Sequence, residues 1–206
     1  MSENPWPVIH AERKALAADL AGLTNEQWAT VSLCSNWTVH EVLAHMVATA
    51  KMTPPKFFAK MAGAGFNFTK MSDKDVAAES AGGPAATLAS FQSVRESTSA
   101  PPGPKDSWLG ETLVHAEDIR KPLGISHAYP LPWVTRAIEF YSKSNLLIGG
   151  KSRLVGLTLK GTDTDWSLGT GPMVEGPALA LLLAATGRKV ALDELSGPGV
   201  ESLRSR

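Results

Sequence analysis

Five histidines in a chain of 206 residues are few enough to weigh singly, and two of them stand at spacings that bear on metal chemistry. Glu111 and His115 are four residues apart. On a helix a four-residue step brings two side chains within about 40° of each other, one turn apart on one face, where a carboxylate and an imidazole can grip one ion. The same spacing describes an ordinary exposed helix pair worth a few tenths of a kcal/mol, and spacing alone leaves that commoner reading open. Glu41 and His45 share the spacing, so it arises easily. A metal needs a third ligand from elsewhere. His45 is a candidate because it lies a full turn into an apolar helix among Val42, Leu43, Met46 and Val47, although a lone buried histidine is more often a satisfied core residue. His40-Glu41 opens like a zincin motif, but the next histidine is His45. A five-residue step turns the second imidazole about 140° from the first, so the two cannot share one ion on a straight helix. His10, on a polar N-terminal helix, and His127, in a Gly/Pro loop, are expected at the surface.

Asp118 follows His115 by three residues and shares nearly the same face, where it can orient a ligand imidazole or a bound water. An exposed helix acid fits that position equally well. Arg120 and Lys121 can meet a substrate carboxylate, yet basic residues in a last helical turn are expected simply to complement the dipole. Cys34, the sole cysteine, excludes internal disulfides and any all-cysteine zinc site. With no basic cluster beside it in sequence, it reads as a small buried hydrophobe rather than a nucleophile. Asp163 and Asp165 lack the glycine and distal glutamate of a calcium loop and read as a hairpin turn. Neither a Gly-rich phosphate loop nor a G-x-S-x-G elbow is present.

The elements that must position these groups are mostly helical. Apolar residues at Val8, Ala15, Leu16, Leu20 and Leu23 predict a helix from Pro7 to Leu23. Thr24 with Gln27, and Thr38 with Glu41, have the capping-box form; Trp37 and Val42 add a hydrophobic staple to the second box, whose helix is expected to run to about Thr53. Residues 51–74 hold five lysines, four phenylalanines and glycines at 63 and 65. They read either as a lid over a pocket or, more plainly, as a loop whose lysine stems cover core. Helix is expected over much of Asp73–Ser99, again from Ser107 to before Pro122, and from Pro132 to Ile148. Gly149-Gly150 reads as a linker. Beyond it, Leu154, Val155, Leu157 and Leu159 predict a strand, Gly161–Asp165 a turn and Trp166–Leu168 its partner, followed by a helix Ala178–Thr186 closed by Gly187.

Composition narrows the partners. Twenty basic against twenty acidic residues leave no formal net charge, so the electrostatic footprint of a nucleic-acid binder is missing. No continuous apolar stretch approaches the roughly 18 residues of a bilayer span. Met1–His10 is polar with no apolar core behind a basic start, and the cytoplasm is the expected address.

Two segments, in order, carry a resemblance. Cys34-Ser35-Asn36-Trp37-Thr38-Val39-His40-Glu41-Val42-Leu43-Ala44-His45 is similar to the W-[ST]-V-x-[DE]-[VL]-x-x-H stretch of the DinB-like metal-binding bundles. Gly110 to Ile119, followed by Leu123-Gly124, resembles the E-x-x-V-H-x-x-D-[IV]-x-x-x-L-G segment of the mycothiol-dependent maleylpyruvate isomerase family. Thr162–Trp166, Gly176–Arg188 and Leu192–Gly199 are similar to that family's smaller C-terminal domain. Ser35-Asn36 stand where a glycine commonly precedes the tryptophan, a departure expected to alter only the helix entry.

The resemblance implies an α+β protein: a DinB-like antiparallel four-helix bundle over residues 1–149 and a small C-terminal α/β domain over 150–206. His45, Glu111 and His115 would be the metal ligands. Two imidazoles and one carboxylate leave open positions on a divalent ion; zinc is the first choice, with Fe2+ and Ni2+ as alternatives. The implied cosubstrate is mycothiol, whose thiol the metal would hold as a thiolate. Such a thiolate would either isomerise maleylpyruvate by reversible addition to its double bond or attack an electrophile irreversibly, as an S-transferase does. A non-catalytic metal-binding or interaction module is the alternative from another class. Expected partners are a small-molecule thiol and an electrophilic substrate, with no nucleic acid and no membrane, the chain being a monomer or homodimer.

Overall fold

The computed structural model describes residues 3–34, 36–145 and 148–206. Helix α1 spans Trp6–Asp19 and starts on Pro residues whose missing N–H is no loss in a first turn. A single turn, α2 (Asn25–Trp28), and the longer α3 (Val39–Lys51) each begin at a threonine that satisfies the capping box expected for it. At α3, the Thr38 hydroxyl accepts from the Glu41 N–H at 3.3 Å, while Glu41 Oε2 accepts from the Thr38 N–H at 2.8 Å. Two bonds thus replace orphaned donors at the start of the helix that carries His45. The Ser35 departure lies outside the described residues.

Residues 51–74 are not the expected loop. Pro54 and Pro55 occupy the first turn of α4 (Pro54–Gly63), and Gly65, at φ +67°, takes the left-handed position that ends a helix. The glycines that read as loop are therefore a helix stop. Asn67 then caps α5 (Phe68–Ser80), accepting from the Lys70 N–H at 2.9 Å. Nothing in α4 is buried, and Phe58 and Phe66 are 61% and 77% exposed, so α4 does not lay its apolar groups onto core, whereas Met52, Ala64 and Met71 on either side of it are buried. The helical stretch expected over Asp73–Ser99 divides at Gly82-Gly83 into α5 and α6 (Gly83–Val94), with Pro84 in the new first turn. Thr87 ties the break by donating to the carbonyl of Glu79 at 2.9 Å. Helix α7 (Lys105–Arg120) follows.

Helices α1, α3, α6 and α7 neighbour one another in a ring, α1 beside α7, α7 beside α3, α3 beside α6 and α6 beside α1, with α5 packed outside on α3. Their shared interior is dry: Ile9, Leu16, Val42, Leu43, Phe91, Leu109, Leu113 and Ile119 are sealed from solvent. At about 25 cal/mol per Å² of apolar surface removed from water, this burial is what holds the bundle together.

The chain divides into two compact units, Met1–His127 and Ala128–Arg206. The break falls some twenty residues before the Gly149 boundary read from sequence. The cause is α8 (Leu131–Ser142), which packs against α10 (Ala178–Ala185) and so belongs with the C-terminal elements. The expected helix to Ile148 ends at Ser142 instead, and Leu146 and Leu147 lie outside the described residues. Leu154, expected in a strand, closes the short α9 (Gly150–Leu154). The strand begins only at Thr158. Strand β1 (Thr158–Gly161) pairs antiparallel with β2 (Ser167–Gly169) and parallel with β3 (Met173–Gly176), giving the order β2-β1-β3. The registers are Leu159 opposite Leu168 and Leu159 opposite Val174. A Cβ on Gly171, at φ +133°, would collide with the Gly156 carbonyl oxygen, so only glycine fits the turn into β3. Asp163 Oδ1 accepts the Ala178 N–H at 2.9 Å, spending the turn acid on the start of α10 rather than on calcium. A 3-10 helix (Lys189–Glu194) and α11 (Val200–Arg204) complete an α+β fold, helix-rich with one small sheet. Among the described residues no helix is long and apolar enough to cross a membrane.

Candidate metal centre

Helix α3 presents His45 in its seventh position, and α7 presents Glu111 and His115 one turn apart. Because α3 packs on α7, these groups from distant parts of the chain meet. One ligand atom each of His45, Glu111 and His115 lies within 4.8 Å of the other two. The imidazoles stand edge to face, their centroids 5.0 Å apart.

Each ring is held from behind. His115 Nδ1 donates to Asp118 Oδ2 at 2.8 Å, and Asp118 is fully buried. His45 Nδ1 lies 3.3 Å from Ser72 Oγ on α5, and the Trp37 ring tilts over the His45 ring at 5.0 Å. With both Nδ1 atoms engaged, each imidazole keeps Nε2 for an ion. Burial, reinforced by the neighbouring His115 and only partly opposed by Asp118, pushes the His45 pKa down to about 3. The ring is therefore neutral and a ready ligand near pH 7.

Glu111 is the strained member. Burial raises its pKa, while His115, the Arg13 guanidinium and the hydroxyls of Thr112 and Thr49 pull it back toward ionisation. Its Oε1 is buried with no hydrogen-bond partner in the protein. An orphaned carboxylate oxygen beside two imidazoles is costly in a protein that puts nothing there, and it is what a divalent cation would satisfy. The residues present fit such an ion. His115 keeps 14% side-chain exposure, so the cluster is not sealed off.

The remaining candidates fall elsewhere. His40 Nε2 lies 2.8 Å from Thr87 Oγ1, turned away from His45 as the five-residue step requires. His10 and His127, expected at the surface, both have partners: the Ser97 carbonyl at 3.3 Å and the buried Glu12 carboxylate at 2.7 Å. Arg120 does not wait for a substrate; it is buried and bonded through Nε to Asp19 Oδ2 at 2.8 Å. Sequence reasoning missed Arg13, Thr49, Ser72 and the position of Cys34. Arg13, Ser72 and Cys34 carry no local signal, since they reach the cluster through packing of separate segments, while Thr49 stands one turn past His45 on α3 itself.

Residues 9–120, more than half of the chain, match the family model described as the mycothiol maleylpyruvate isomerase N-terminal domain. All three clustered residues fall inside that span. Among solved structures, a histidine-to-alanine mutant of the mycothiol-dependent maleylpyruvate isomerase superposes with a TM-score of 0.64 at 15% identity, covering 94% of this chain and 91% of that one. The mycothiol-dependent maleylpyruvate isomerase itself gives 0.57 at 13% identity over the same shares of each chain. These identities speak to the fold. Comparison with curated proteins yields no match. By the match over its bundle, this chain belongs to the mycothiol maleylpyruvate isomerase N-terminal domain family.

Proposed function

We propose that this protein is a divalent-metal enzyme that uses a small-molecule thiol, mycothiol being the first choice, against an electrophilic substrate. The observation that carries the reading is the convergence of His45, Glu111 and His115 around a buried carboxylate oxygen that no protein group satisfies. Zinc is the preferred ion for two imidazoles and a carboxylate, with Fe2+ and Ni2+ as alternatives. A bound divalent ion of this kind stabilises a thiolate at neutral pH, the nucleophile required for reversible addition to a conjugated double bond or for irreversible S-transfer.

The chain's own residues do the rest. Asp118 fixes the tautomer of His115, and Ser72 with Trp37 fixes the ring plane of His45. The depressed His45 pKa keeps that imidazole from competing with a proton. Arg13 lies near enough to Glu111 to favour its anionic form, and the guanidinium is anchored to the Ser97 carbonyl at 3.1 Å. Two imidazoles and one carboxylate neutralise only half of a divalent charge, so the centre attracts an anionic ligand such as a thiolate. The reading places the protein in the cytoplasm with small-molecule partners.

The test is a thiol panel. Purified protein is incubated with mycothiol and simpler thiols, with maleylpyruvate or generic electrophiles as acceptors. Metal-dependent consumption of one of these pairs, abolished by chelation, supports the reading. Metal retention without turnover of any pair favours a non-catalytic module.

A further inference from the structure

One thiol beside the cluster is unused by this reading. Cys34 sits in the turn that leads into α3, and hydrogen bonds fix where that turn lies. Ser32 Oγ accepts the Cys34 N–H at 3.1 Å and donates to the Trp37 carbonyl at 2.7 Å. The Leu33 N–H donates to the Asp118 carbonyl at 3.1 Å, pinning the turn to the C-terminal half of α7. As a result Cys34 Sγ, a His115 ring nitrogen and an Asp118 carboxylate oxygen all lie within 4.8 Å of one another.

Tetrahedral zinc holds sulfur at about 2.3 Å and nitrogen or oxygen at about 2.0–2.2 Å, which places neighbouring ligand atoms roughly 3.3–3.7 Å apart. The three groups would need to close by about 1.5 Å at most. The 2.8 Å contact between His115 Nδ1 and Asp118 Oδ2 would need to open by about half an ångström. These are side-chain rotations, not backbone movements.

We propose that Cys34, His115 and Asp118 form a second cation position, selective for thiophilic divalent ions such as Zn2+ and Cd2+, which shares the His115 imidazole with the His45–Glu111–His115 cluster. The soft thiolate donor excludes Mg2+ and Ca2+. On binding, the Cys34 S–H bond breaks, the S–metal bond forms and the proton leaves to solvent. No oxidant or reductant takes part. When both positions fill, His115 bridges through both nitrogens and gives up its ring proton as well. The charges of Glu111, Cys34, Asp118 and the bridging imidazolate then balance two divalent ions, a neutral arrangement suited to a partly buried place. Because it displaces the His115–Asp118 hydrogen bond, this position is the weaker of the two. It needs neither His45 nor Glu111.

The experiment titrates metal-free protein with Cd2+ and follows the ultraviolet charge-transfer absorption of a thiolate–cadmium bond. The absorption is expected to grow with the second equivalent. Cys34→Ser removes it while the first equivalent still binds, Asp118→Asn weakens it, and Glu111→Gln leaves it in place. As a check that needs no variant, alkylation of Cys34 by iodoacetamide in the unaltered protein slows by an order of magnitude with excess Cd2+ and is unchanged by Mg2+. Absence of the absorption at excess Cd2+, or alkylation that ignores Cd2+, overturns the proposal. Failure of the His45–Glu111–His115 reading would look different: the first equivalent would then be indifferent to Glu111→Gln.

Discussion

Asp118→Asn is the sharpest probe of how the centre is organised. A buried carboxylate can only accept, so Asp118 holds His115 with its proton on Nδ1 and its lone pair on Nε2. Asparagine keeps the shape and can still accept through its oxygen, but it lacks the charge. Charge-assisted bonds are roughly twice as strong as neutral ones. The amide can also turn its NH2 toward Nδ1 and favour the wrong tautomer, with the lone pair facing away from the ion. Losing a partner of this kind typically lowers metal affinity about 10- to 100-fold, or about 1.4–2.7 kcal/mol. The assay is competition for Zn2+ with a chelator of known affinity at fixed pH and ionic strength, alongside a melting curve to show that the variant is folded. Glu79→Gln serves as the control, since it breaks the half-exposed Lys51–Glu79 pair and touches none of the three clustered side chains. The reasoning fails if folded Asp118→Asn holds Zn2+ as tightly as the unaltered protein, or if Glu79→Gln weakens it equally.

Three further outcomes are expected. Thr38→Ala removes the hydroxyl that accepts the Glu41 N–H at the start of α3, leaving the Thr38 N–H to Glu41 bond in place, and costs about 1 kcal/mol of stability by urea unfolding; an unchanged midpoint would contradict the capping role. His45 is neutral in the folded, metal-free protein down to about pH 3, whereas in the unfolded chain it takes a proton from about pH 6.5 downward. Its contribution is thus complete above the unfolded value and is lost, at up to about 1.4 kcal/mol per pH unit, as pH falls between those limits. Glu111, whose folded pKa is raised, works in the opposite sense. The difference in unfolding free energy between unaltered protein and His45→Gln isolates the His45 part, and a difference that does not vary with pH would refute it. Finally, zinc addition changes tryptophan fluorescence through the Trp37 ring tilted over His45, and Trp37→Phe removes most of the change; an equal response in the variant would place the reporting tryptophan elsewhere.

What could be read from the sequence was what is local. Both capping boxes, the hairpin β1–β2 and the one-turn spacing of Glu111 and His115 depend on residues within a few positions of each other. The joining of His45 to that pair was supplied by resemblance, because nothing in spacing says that α3 packs on α7. Strand β3 escaped notice: Met173–Gly176 is short, and its partner β1 is parallel and nonlocal. The unit boundary was placed late for the same reason, since α8 is assigned by the helix it packs against rather than by the linker that follows it. Cys34 read as an inert buried residue because its sequence neighbours carry no charge, while its spatial neighbours, His115 and Asp118, come from α7. The lysine- and phenylalanine-rich stretch misled because a glycine that stops a helix and a glycine that makes a loop look alike without the backbone.

Elemental analysis of the protein as purified, set beside His45→Ala, Glu111→Ala and His115→Ala, decides the account most directly. A tightly held divalent ion is expected in the unaltered chain, with zinc the first choice, and each of the three replacements is expected to empty that place while the fold persists by circular dichroism. Full occupancy in all three replacements would contradict it.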